Sequence, residues 1–384
     1  MVLTPTLTGY VARGFLGMTM TMLGALTGLV ALFDFIELLR RAATRPDVGF
    51  GMAAQIAALR LPFVAMQIMP FAILLGGIVA FWRLTRSSEL IVARAAGISA
   101  WGFLTGPLVV ALLMGATATT AISPISSALL SRAERLDQTF LRTGGGMSAL
   151  AGGRLWLRQA DKDLDPQGVA ILSGRPVAMR AGSEPAPRAN SPQVGARFEL
   201  QDVSVWRLSG GDQPLARIEA PRARLSEGAW VLEDATVFGA DRVARPVGRF
   251  SLPTELTPGR IEDSFASPET LDFWSLPGFI AVLEEAGFSA VRHRIQFQSL
   301  LALPILALAM ALLAAGFSMR QTRRGGVAQM IGGGVAAGFA LFVVDKVSNE
   351  FGEAGSLPVI LAAWAPTRAG LLLALALLLH LEDG

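Results

Sequence analysis

The sequence predicts an α-helical integral membrane protein with six transmembrane helices in two groups of three, separated by one large water-soluble domain. Hydrophobic residues make up 52% of the 384 residues and charged residues only 16%, whereas an ordinary soluble domain carries about 25% charge. The shortfall is uneven, because long stretches contain almost no charge while the middle of the chain has an ordinary composition. This distribution indicates lipid-embedded parts joined to one soluble part.

Six apolar segments are long enough to cross a bilayer, whose hydrocarbon core of about 30 Å requires about 20 residues of helix. The fifth contains several glycines, which lower helix propensity but let helices approach closely in a membrane. In the sixth, Pro366 predicts a kink or a late start of the helix. With a start at Pro366, Arg368 would lie at the membrane interface. The segments are residues 15–36, 61–82, 101–123, 297–317, 327–345 and 357–381.

About 170 residues between the third and fourth segments have the pattern of a β domain. Short alternating stretches with aromatic residues are separated by Gly, Pro, Asp and Asn, as in residues 154–158, 203–208 and 229–233. This period of two predicts an antiparallel sandwich or open roll. The composition of residues 181–193 predicts a long loop. An apolar stripe in residues 268–295 predicts a helix near the membrane surface that leads into the fourth span.

The sequence lacks most of the residues and motifs that catalysis or metal binding would need. The absence of Cys and the presence of only two His exclude disulfides, thiolate nucleophiles and a His-rich metal site. Lys162 and Lys346 are followed by Asp and Val, so neither belongs to the Gly-Lys-Ser/Thr motif that ATP hydrolysis requires. The net charge of +3 gives no indication of nucleic acid binding. We therefore expect a non-enzymatic protein without cofactor, catalytic residues, metal ion or nucleic acid.

Two acidic groups have alternative interpretations. Asp161, Asp163 and Asp165 alternate as in a calcium-binding loop, but the Gly and Glu of such a loop are missing, which favours an acidic turn. Asp34 and Glu37 lie one turn apart at the end of the first span. A solvated helix terminus is favoured there over a paired-carboxylate site.

The distribution of basic residues predicts that both termini are cytoplasmic. Arg13 together with the loops after the second and fourth spans supplies seven basic residues, and the short loops on the opposite side supply five. Short loops rich in Lys and Arg remain in the cytoplasm, while long domains do not count in this rule. The β domain would then lie outside.

The loop between the second and third spans predicts a short amphipathic helix. Ser87 or Ser88 can cap its beginning, Glu89 lies in its first turn, and Gly97 can close it. The helix is too short to span the membrane. It is either a docking element for a cytoplasmic partner or an interfacial helix that lies flat on lipid.

Several motifs occur in a characteristic order along nearly the whole chain. The loop contains Ser88–Leu90 and Ala96–Ser99, the first span ends in Phe33–Glu37, the second holds Met69-Pro70, and the sixth holds Ala363–Pro366. Each motif is weak alone, but their order within a layout of three spans, a β domain and three spans is specific. The chain resembles the lipopolysaccharide export permeases of the LptF/LptG family, and Phe33–Glu37 is more similar to LptG than to LptF.

This resemblance implies a permease subunit of an ATP-driven exporter in the bacterial inner membrane. Such a subunit extracts lipopolysaccharide and passes it through a periplasmic β domain of jelly-roll-like form toward the outer membrane. Its expected partners are an LptF-type homologous subunit, a cytoplasmic LptB-type ATPase dimer that hydrolyses ATP, a bitopic LptC-type protein, and membrane lipid. The alternative is the membrane subunit of another ABC-type lipid- or lipoprotein-releasing or mechanotransmitting complex. The membrane subunits of such complexes usually have four helices with the large domain after the first, so the three-plus-three split argues against this alternative.

The resemblance also implies domain boundaries and site residues. Residues 1–135 would hold the first three spans with a coupling helix at 84–98, residues 136–267 the β domain, and residues 268–384 the interfacial helix and the last three spans. Some family members carry basic residues where this chain has Ala31 and Glu37, and neighbouring arginines would substitute. The residues expected to contact the ATPase are Glu89, Arg86, Arg94 and Gly97.

Five arginines would lie near the outer interface under this topology. Forked contacts between guanidinium groups and the phosphates of lipopolysaccharide are the expected chemistry. The alternative is that these side chains only snorkel or sit in water. The expected lipopolysaccharide-binding residues are Arg40, Arg41, Arg60, Arg132 and Arg135.

Overall fold

The computed structural model divides the chain into two compact units. The first comprises residues 1–143, 268–277 and 291–384, and the second comprises residues 144–267 and 278–290. The structure describes residues 5–43, 49–87, 89, 100–141, 148–151, 154–161, 163, 168–177, 199–209, 211, 213–226, 228–239, 243–254, 267–285, 288–318 and 327–382.

Long apolar helices form the first unit. The third span is continuous, because a π-helical turn at Ala118–Ile122 joins its two helices without a break. A second π-helical turn at Asp137–Leu141 extends the end of the span. Six spans are long and apolar enough to cross a membrane in the part of the chain that the structure describes, which confirms the predicted three-plus-three arrangement. The helices of the described chain are α1 (Pro5–Ala42), α2 (Phe50–Arg86), α3 (Ala100–Thr117), α4 (Ser123–Leu136), α5 (Leu276–Glu285), α6 (Val291–Ser318), α7 (Val327–Glu353) and α8 (Val359–Glu382). From Gly278 onward, α5 belongs to the second unit.

The first three spans extend beyond the thickness of a bilayer. Helix α1 has 38 residues and is therefore about 57 Å long at 1.5 Å per residue, compared with a hydrocarbon core of about 30 Å. The end of α1, the beginning of α2 and the end of α4 pack together around Leu38, Ile56 and Ala133. This small cluster holds the extended ends of the three spans in contact.

Close helix packing in the first unit depends on glycine. A Cβ atom on Gly76 of α2 would lie 2.6 Å from the Cα atom of Thr19 in α1, and one on Gly115 of α3 would lie 2.5 Å from the Cα atom of Pro304 in α6. Lipid tails are as apolar as the helices, so association relies on such close contacts more than on the hydrophobic effect. The main core of this unit forms around α6, whose residues Ala307 and Leu313 are fully buried.

The last span differs from the sequence prediction. Helix α8 begins at Val359, and Pro366 lies inside it, so the predicted late start at Pro366 is wrong. Proline is tolerated within membrane helices because neighbouring helices and local adjustments satisfy the freed backbone groups. Arg368 consequently lies nine residues into the helix, with an exposed side chain.

The second unit contains one antiparallel sheet. Its described strands follow one another in sequence order, each paired with the next, which confirms an inserted all-β domain. Among the described strands this is an up-and-down connectivity, without the Greek-key crossovers of a strict jelly roll. The strands are β1 (Ser148–Ala151), β2 (Arg154–Ala160), β3 (Val169–Pro176), β4 (Glu199–Leu208), β5 (Pro214–Ser226), β6 (Ala229–Phe238) and β7 (Ala244–Pro253).

The core of the β unit lies on one face of the sheet. Alternating side chains of successive strands are buried, including Leu155, Leu200 and Trp230. Leu283 of α5 and the following Phe288 pack into the same core. The predicted single helix over 268–295 is therefore divided: α5 packs on the sheet, and α6 begins separately at Val291.

A buried ion pair lies at the end of β2. The carboxylate of Asp161 accepts both an Nε–H and an Nη2–H bond from Arg207, and both side chains are buried. Asp163 lies 3.8 Å from Arg207, while Asp165 lies outside the described residues. A buried pair of this kind is stable only because its charges are mutually satisfied. Asp161 thus has a structural partner, in agreement with the interpretation as an acidic turn.

Replacing Gly76 by Ala should destabilise the membrane unit. The new Cβ atom would meet the backbone of α1, and such overpacking costs about 1–3 kcal/mol. A lower midpoint of thermal unfolding in detergent would be the measurable effect. The matched control is Gly24→Ala, because a Cβ atom there has nothing within 4 Å. Equal midpoints for the two variants would show that the contact between α1 and α2 does not limit stability.

Candidate lipid-binding and coupling sites

The helices of the first unit surround an open cavity of about 620 Å³. Helices α2, α6 and α7 supply most of its wall. One part of the wall is apolar, so it suits hydrocarbon. The apolar lining includes Phe63, Met66, Phe71, Leu303, Leu306, Met310, Leu341 and Phe342.

A charged rim lies at one end of this cavity. Arg292 at the beginning of α6 lies 3.6 Å from Glu353 at the end of α7. On α7, Asn349 donates a hydrogen bond to Asp345 at 3.3 Å, and the Lys346 ammonium lies 5.7 Å from the centre of the Phe342 ring. The cavity therefore combines a hydrocarbon-like interior with ionic groups at its edge. That combination matches an amphiphile with apolar tails and a charged head.

The cavity is bordered by the two least buried spans. Val30 of α1 and Phe342 of α7 both line it. Only 6% of the apolar window of α1 and 17% of that of α7 are buried, compared with 61% for α6. Large apolar side chains point away from the molecule on both helices, for example Phe33 and Phe339. Two of the cavity's walls thus present apolar surface on their outer sides.

The five predicted lipid-binding arginines lie around one end of the first unit. They belong to the end of α1, the first half of α2 and the end of α4, the segments that share the cluster of Leu38, Ile56 and Ala133. Arg132 and Arg135 are exposed. Arg40 and Arg41 are also exposed, and both bind the carboxylate of Glu37. The tertiary structure brings together residues that are almost 100 positions apart in the sequence.

Arg60 differs from the other four arginines because it is mostly buried between carboxylates. Its Nη1 atom lies 3.1 Å from Asp34, and its Nη2 atom lies 3.9 Å from Asp137. The side chains of Arg60 and Asp137 are 21% and 3% exposed. Asp34, Arg60 and Asp137 come from α1, α2 and the turn after α4, so the network ties three spans together. Asp137 was not a predicted site residue, since nothing in its local sequence indicates burial.

The predicted coupling region lies at the other end of α1 and α2. Glu89 accepts a hydrogen bond from Ser87 at 2.8 Å, and the hydroxyl of Tyr10 lies 3.5 Å from the same carboxylate oxygen. Arg86 lies over the ring of Trp82 at 5.5 Å. Arg13 and Arg83 line a pocket together with Glu89. Arg94, Gly97 and most of the predicted helix 84–98 lie outside the described residues.

Comparison with protein families agrees with this arrangement. The model of the family described as "Lipopolysaccharide export system permease LptF/LptG" matches residues 9–380. The chain belongs to this family. The match covers both groups of spans and the inserted β domain, so it includes every region described above. The multi-pass, inner-membrane localisation predicted from the sequence agrees with membership of the LptF/LptG family and with six apolar spans.

Curated relatives in the LptF/LptG family carry the LptG name. The chain is 23% identical over 373 residues to "Lipopolysaccharide export system permease protein LptG" of Escherichia coli (strain K12), covering 94% of each chain. It is 22% identical over 367 residues to the protein of the same name from Haemophilus influenzae, covering 94% of this chain and 95% of the relative. These similarities support a membrane subunit of a lipopolysaccharide export permease.

Sequence reasoning missed the charged rim of the cavity. Asp345 ends the fifth apolar segment, and Lys346, Asn349, Glu350 and Glu353 follow it directly. Their density of charge after a span was a usable signal. Their convergence with Arg292 and with the wall of α2 depends on helix packing, which the linear pattern does not specify. The lipid-binding role of the five arginines stays a prediction.

Arg60→Gln should destabilise the protein more than Arg132→Gln. Removing the Arg60 guanidinium leaves the carboxylates of Asp34 and buried Asp137 without that cation, at a cost of about 1–3 kcal/mol. Arg132 is exposed, and its loss should leave stability within about 0.5 kcal/mol. Denaturation midpoints of the purified variants in one detergent provide the comparison. Equal midpoints would contradict a structural role for the Arg60 network.

Proposed function

We propose that this chain is one of two homologous permease subunits that extract lipopolysaccharide from the membrane when a separate ATPase hydrolyses ATP. The cavity of about 620 Å³, with its apolar wall and charged rim, is the observation that carries this proposal. Lipid A, the membrane anchor of lipopolysaccharide, has several acyl chains and phosphate groups. Its tails fit an apolar wall between helices, and its head requires a polar rim.

A homologous second subunit would complete the cavity. The outer faces of α1 and α7 are mostly unburied, although both helices line the cavity. Lipid alone can cover such faces, but covering by a partner would close the cavity between two subunits. A Cβ atom on Gly24 or Gly28 of α1 would meet nothing within 4 Å, and small residues of this spacing favour helix association in membranes.

Four of the five arginines are suited to bind lipid phosphate. Arg40, Arg41, Arg132 and Arg135 are exposed around the ends of α1 and α4. Glu37 holds Arg40 through two contacts of 2.8 and 2.9 Å, which orients the guanidinium group before any ligand arrives. A phosphate would compete with Glu37 or bind the remaining N–H groups. Arg60 instead holds the three spans together through its ion pairs with Asp34 and Asp137.

The β unit would receive the lipid after extraction. With both termini in the cytoplasm, this unit lies in the periplasm. Its core is built from aliphatic side chains such as Leu172 and Val205. Strands β1 and β7 end the described sheet. An LptC-type partner with its own β domain would extend the sheet by pairing with one of these edges.

Glu89 is the residue proposed to couple the membrane unit to the ATPase. It lies between the end of α2 and the beginning of α1, where Ser87 and Tyr10 approach its carboxylate. A carboxylate on a short cytoplasmic element can bind an arginine of a docked ATPase. Its contact with Tyr10 would connect that docking point to α1, which borders the cavity.

Filling the cavity should reduce lipid capture. The double variant Leu303→Trp/Leu306→Trp places two indoles against the cavity wall on one face of α6. The chain would be purified from bacterial membranes with its partners, and bound lipopolysaccharide measured per protein. We expect a loss of at least about threefold, while the homologous subunit and the ATPase still copurify. Leu113→Trp, on an exposed position of α3, is the control. Unchanged lipopolysaccharide in the double variant would contradict the cavity as its site.

Glu89→Ala should uncouple transport without unfolding the chain. The variant loses a charge-assisted contact of about 1.5–3 kcal/mol with the ATPase, which corresponds to roughly a 10- to 100-fold weaker interaction. Complementation of a permease-depleted strain and copurification of the ATPase are the two measurements. Glu219→Ala in β5, which removes a carboxylate paired with Arg217, is the control. Full complementation by Glu89→Ala would remove this residue from the mechanism.

A further inference from the structure

Arg368 occupies an unusual position in the membrane unit. It lies nine residues after the start of α8, about 14 Å along the helix axis. Its side chain is exposed, and no residue in the described part of the chain is hydrogen-bonded or ion-paired to it. An arginine exposed on a membrane span is costly unless it meets an anion or reaches the interface.

The surroundings of Arg368 form an outward apolar stripe on α8. Leu361, Leu372, Leu375 and Leu379 are 44%, 69%, 40% and 54% exposed. At 100° per residue they fall within about 40° of Arg368 around the helix. The last three extend from Arg368 over about 16 Å, which is close to half of the roughly 30 Å hydrocarbon core. One leaflet's acyl chain can therefore lie along them.

This stripe faces away from the transport cavity. Pro366 lines the cavity, and Arg368 is two residues further along, which rotates it by about 200° around the helix. A lipid held by Arg368 would therefore be separated from cargo inside the cavity by the body of α8.

The side chain of Arg368 can reach the membrane–water interface. The indole of Trp364 donates a hydrogen bond to Gln298 of α6 at 3.1 Å, and Trp is enriched at membrane–water interfaces. Trp364 lies four residues before Arg368 on nearly the same face, about 6 Å along the axis. An arginine side chain can snorkel over that distance.

We propose that Arg368 and the leucine stripe of α8 (Leu361, Leu372, Leu375 and Leu379) form a binding site for a resident phospholipid that is not cargo. The guanidinium group binds the lipid phosphate in the leaflet at the Val359 end of α8, and one acyl chain lies along Leu372, Leu375 and Leu379. A forked guanidinium matches phosphate geometry better than an ammonium group. A carboxylate on a partner's transmembrane helix would have to be buried in the hydrocarbon to reach Arg368. A lipid phosphate already lies at the interface, which a snorkelling arginine can reach.

The test uses the full-length chain, purified in mild detergent and stripped of lipid. Phosphatidylglycerol is titrated in, and bound lipid is counted by native mass spectrometry. Wild type should bind one phosphatidylglycerol about tenfold more tightly than Arg368→Gln, since a charge-assisted contact is lost. Arg368→Lys should be intermediate. Arg222→Gln, the same change at an exposed position of β5, should match wild type.

Two further measurements identify the ligand. Diacylglycerol with the same acyl chains should not compete on the wild type, because it lacks phosphate; this comparison remains informative if Arg368→Gln does not fold. Lipopolysaccharide in excess should leave the phosphatidylglycerol bound. The proposal is overturned if Arg368→Gln binds phosphatidylglycerol like wild type, or if diacylglycerol or lipopolysaccharide displaces it. Loss of a copurifying membrane protein from Arg368→Gln, with phosphatidylglycerol binding unchanged, would identify a helix partner instead.

Discussion

The membrane unit depends on one constraint: hydrocarbon offers no hydrogen-bond partners and no hydrophobic driving force between helices. Backbone groups in a span must bond within the helix or, next to a proline, find a partner on a neighbouring helix, and the helices must attract one another through close contact. Gly76 against Thr19 and Gly115 against Pro304 provide that contact at the backbone level. Because α6 takes the central position, α1 and α7 remain at the edge. The cavity and its exposed border follow from this arrangement.

Charge is placed in this protein where a partner or an interface can satisfy it. Arg60 lies between Asp34 and Asp137 where three spans meet, and Arg207 is buried against Asp161 in the β unit. The rim of the cavity combines Arg292 with the carboxylates of α7. Arginines that organise the fold and arginines available to lipid phosphate are therefore chemically alike and distinguished by their surroundings. Exposure separates the two groups, because Arg40 and Arg41 are exposed although they also have a carboxylate partner in Glu37.

Helix α1 connects the two ends of the membrane unit. Tyr10 contacts Glu89 near its beginning, and Glu37 orients Arg40 and Arg41 near its end. Tyr10 and Glu37 are 27 positions apart, which corresponds to about 40 Å along a helix. Only 6% of the apolar window of α1 is buried within this chain, although α1 packs closely on α2 at Thr19 and Gly76. The helix joins the proposed ATPase contact to the proposed lipid contact in one element.

The sequence by itself determined the six spans and the inserted β domain, because apolar length and the period-two alternation are local properties of the chain. The ordered motifs also indicated the family, and Glu89 and the arginines could be named as candidates. Only the tertiary structure decided that Arg60 lies between Asp34 and Asp137, that α5 packs on the sheet, that α8 begins before Pro366, and that charges of α6 and α7 meet at one cavity. Those facts depend on which helices touch and how they are rotated. Rotation and contact are set by side-chain packing between segments far apart in sequence, which no local pattern encodes.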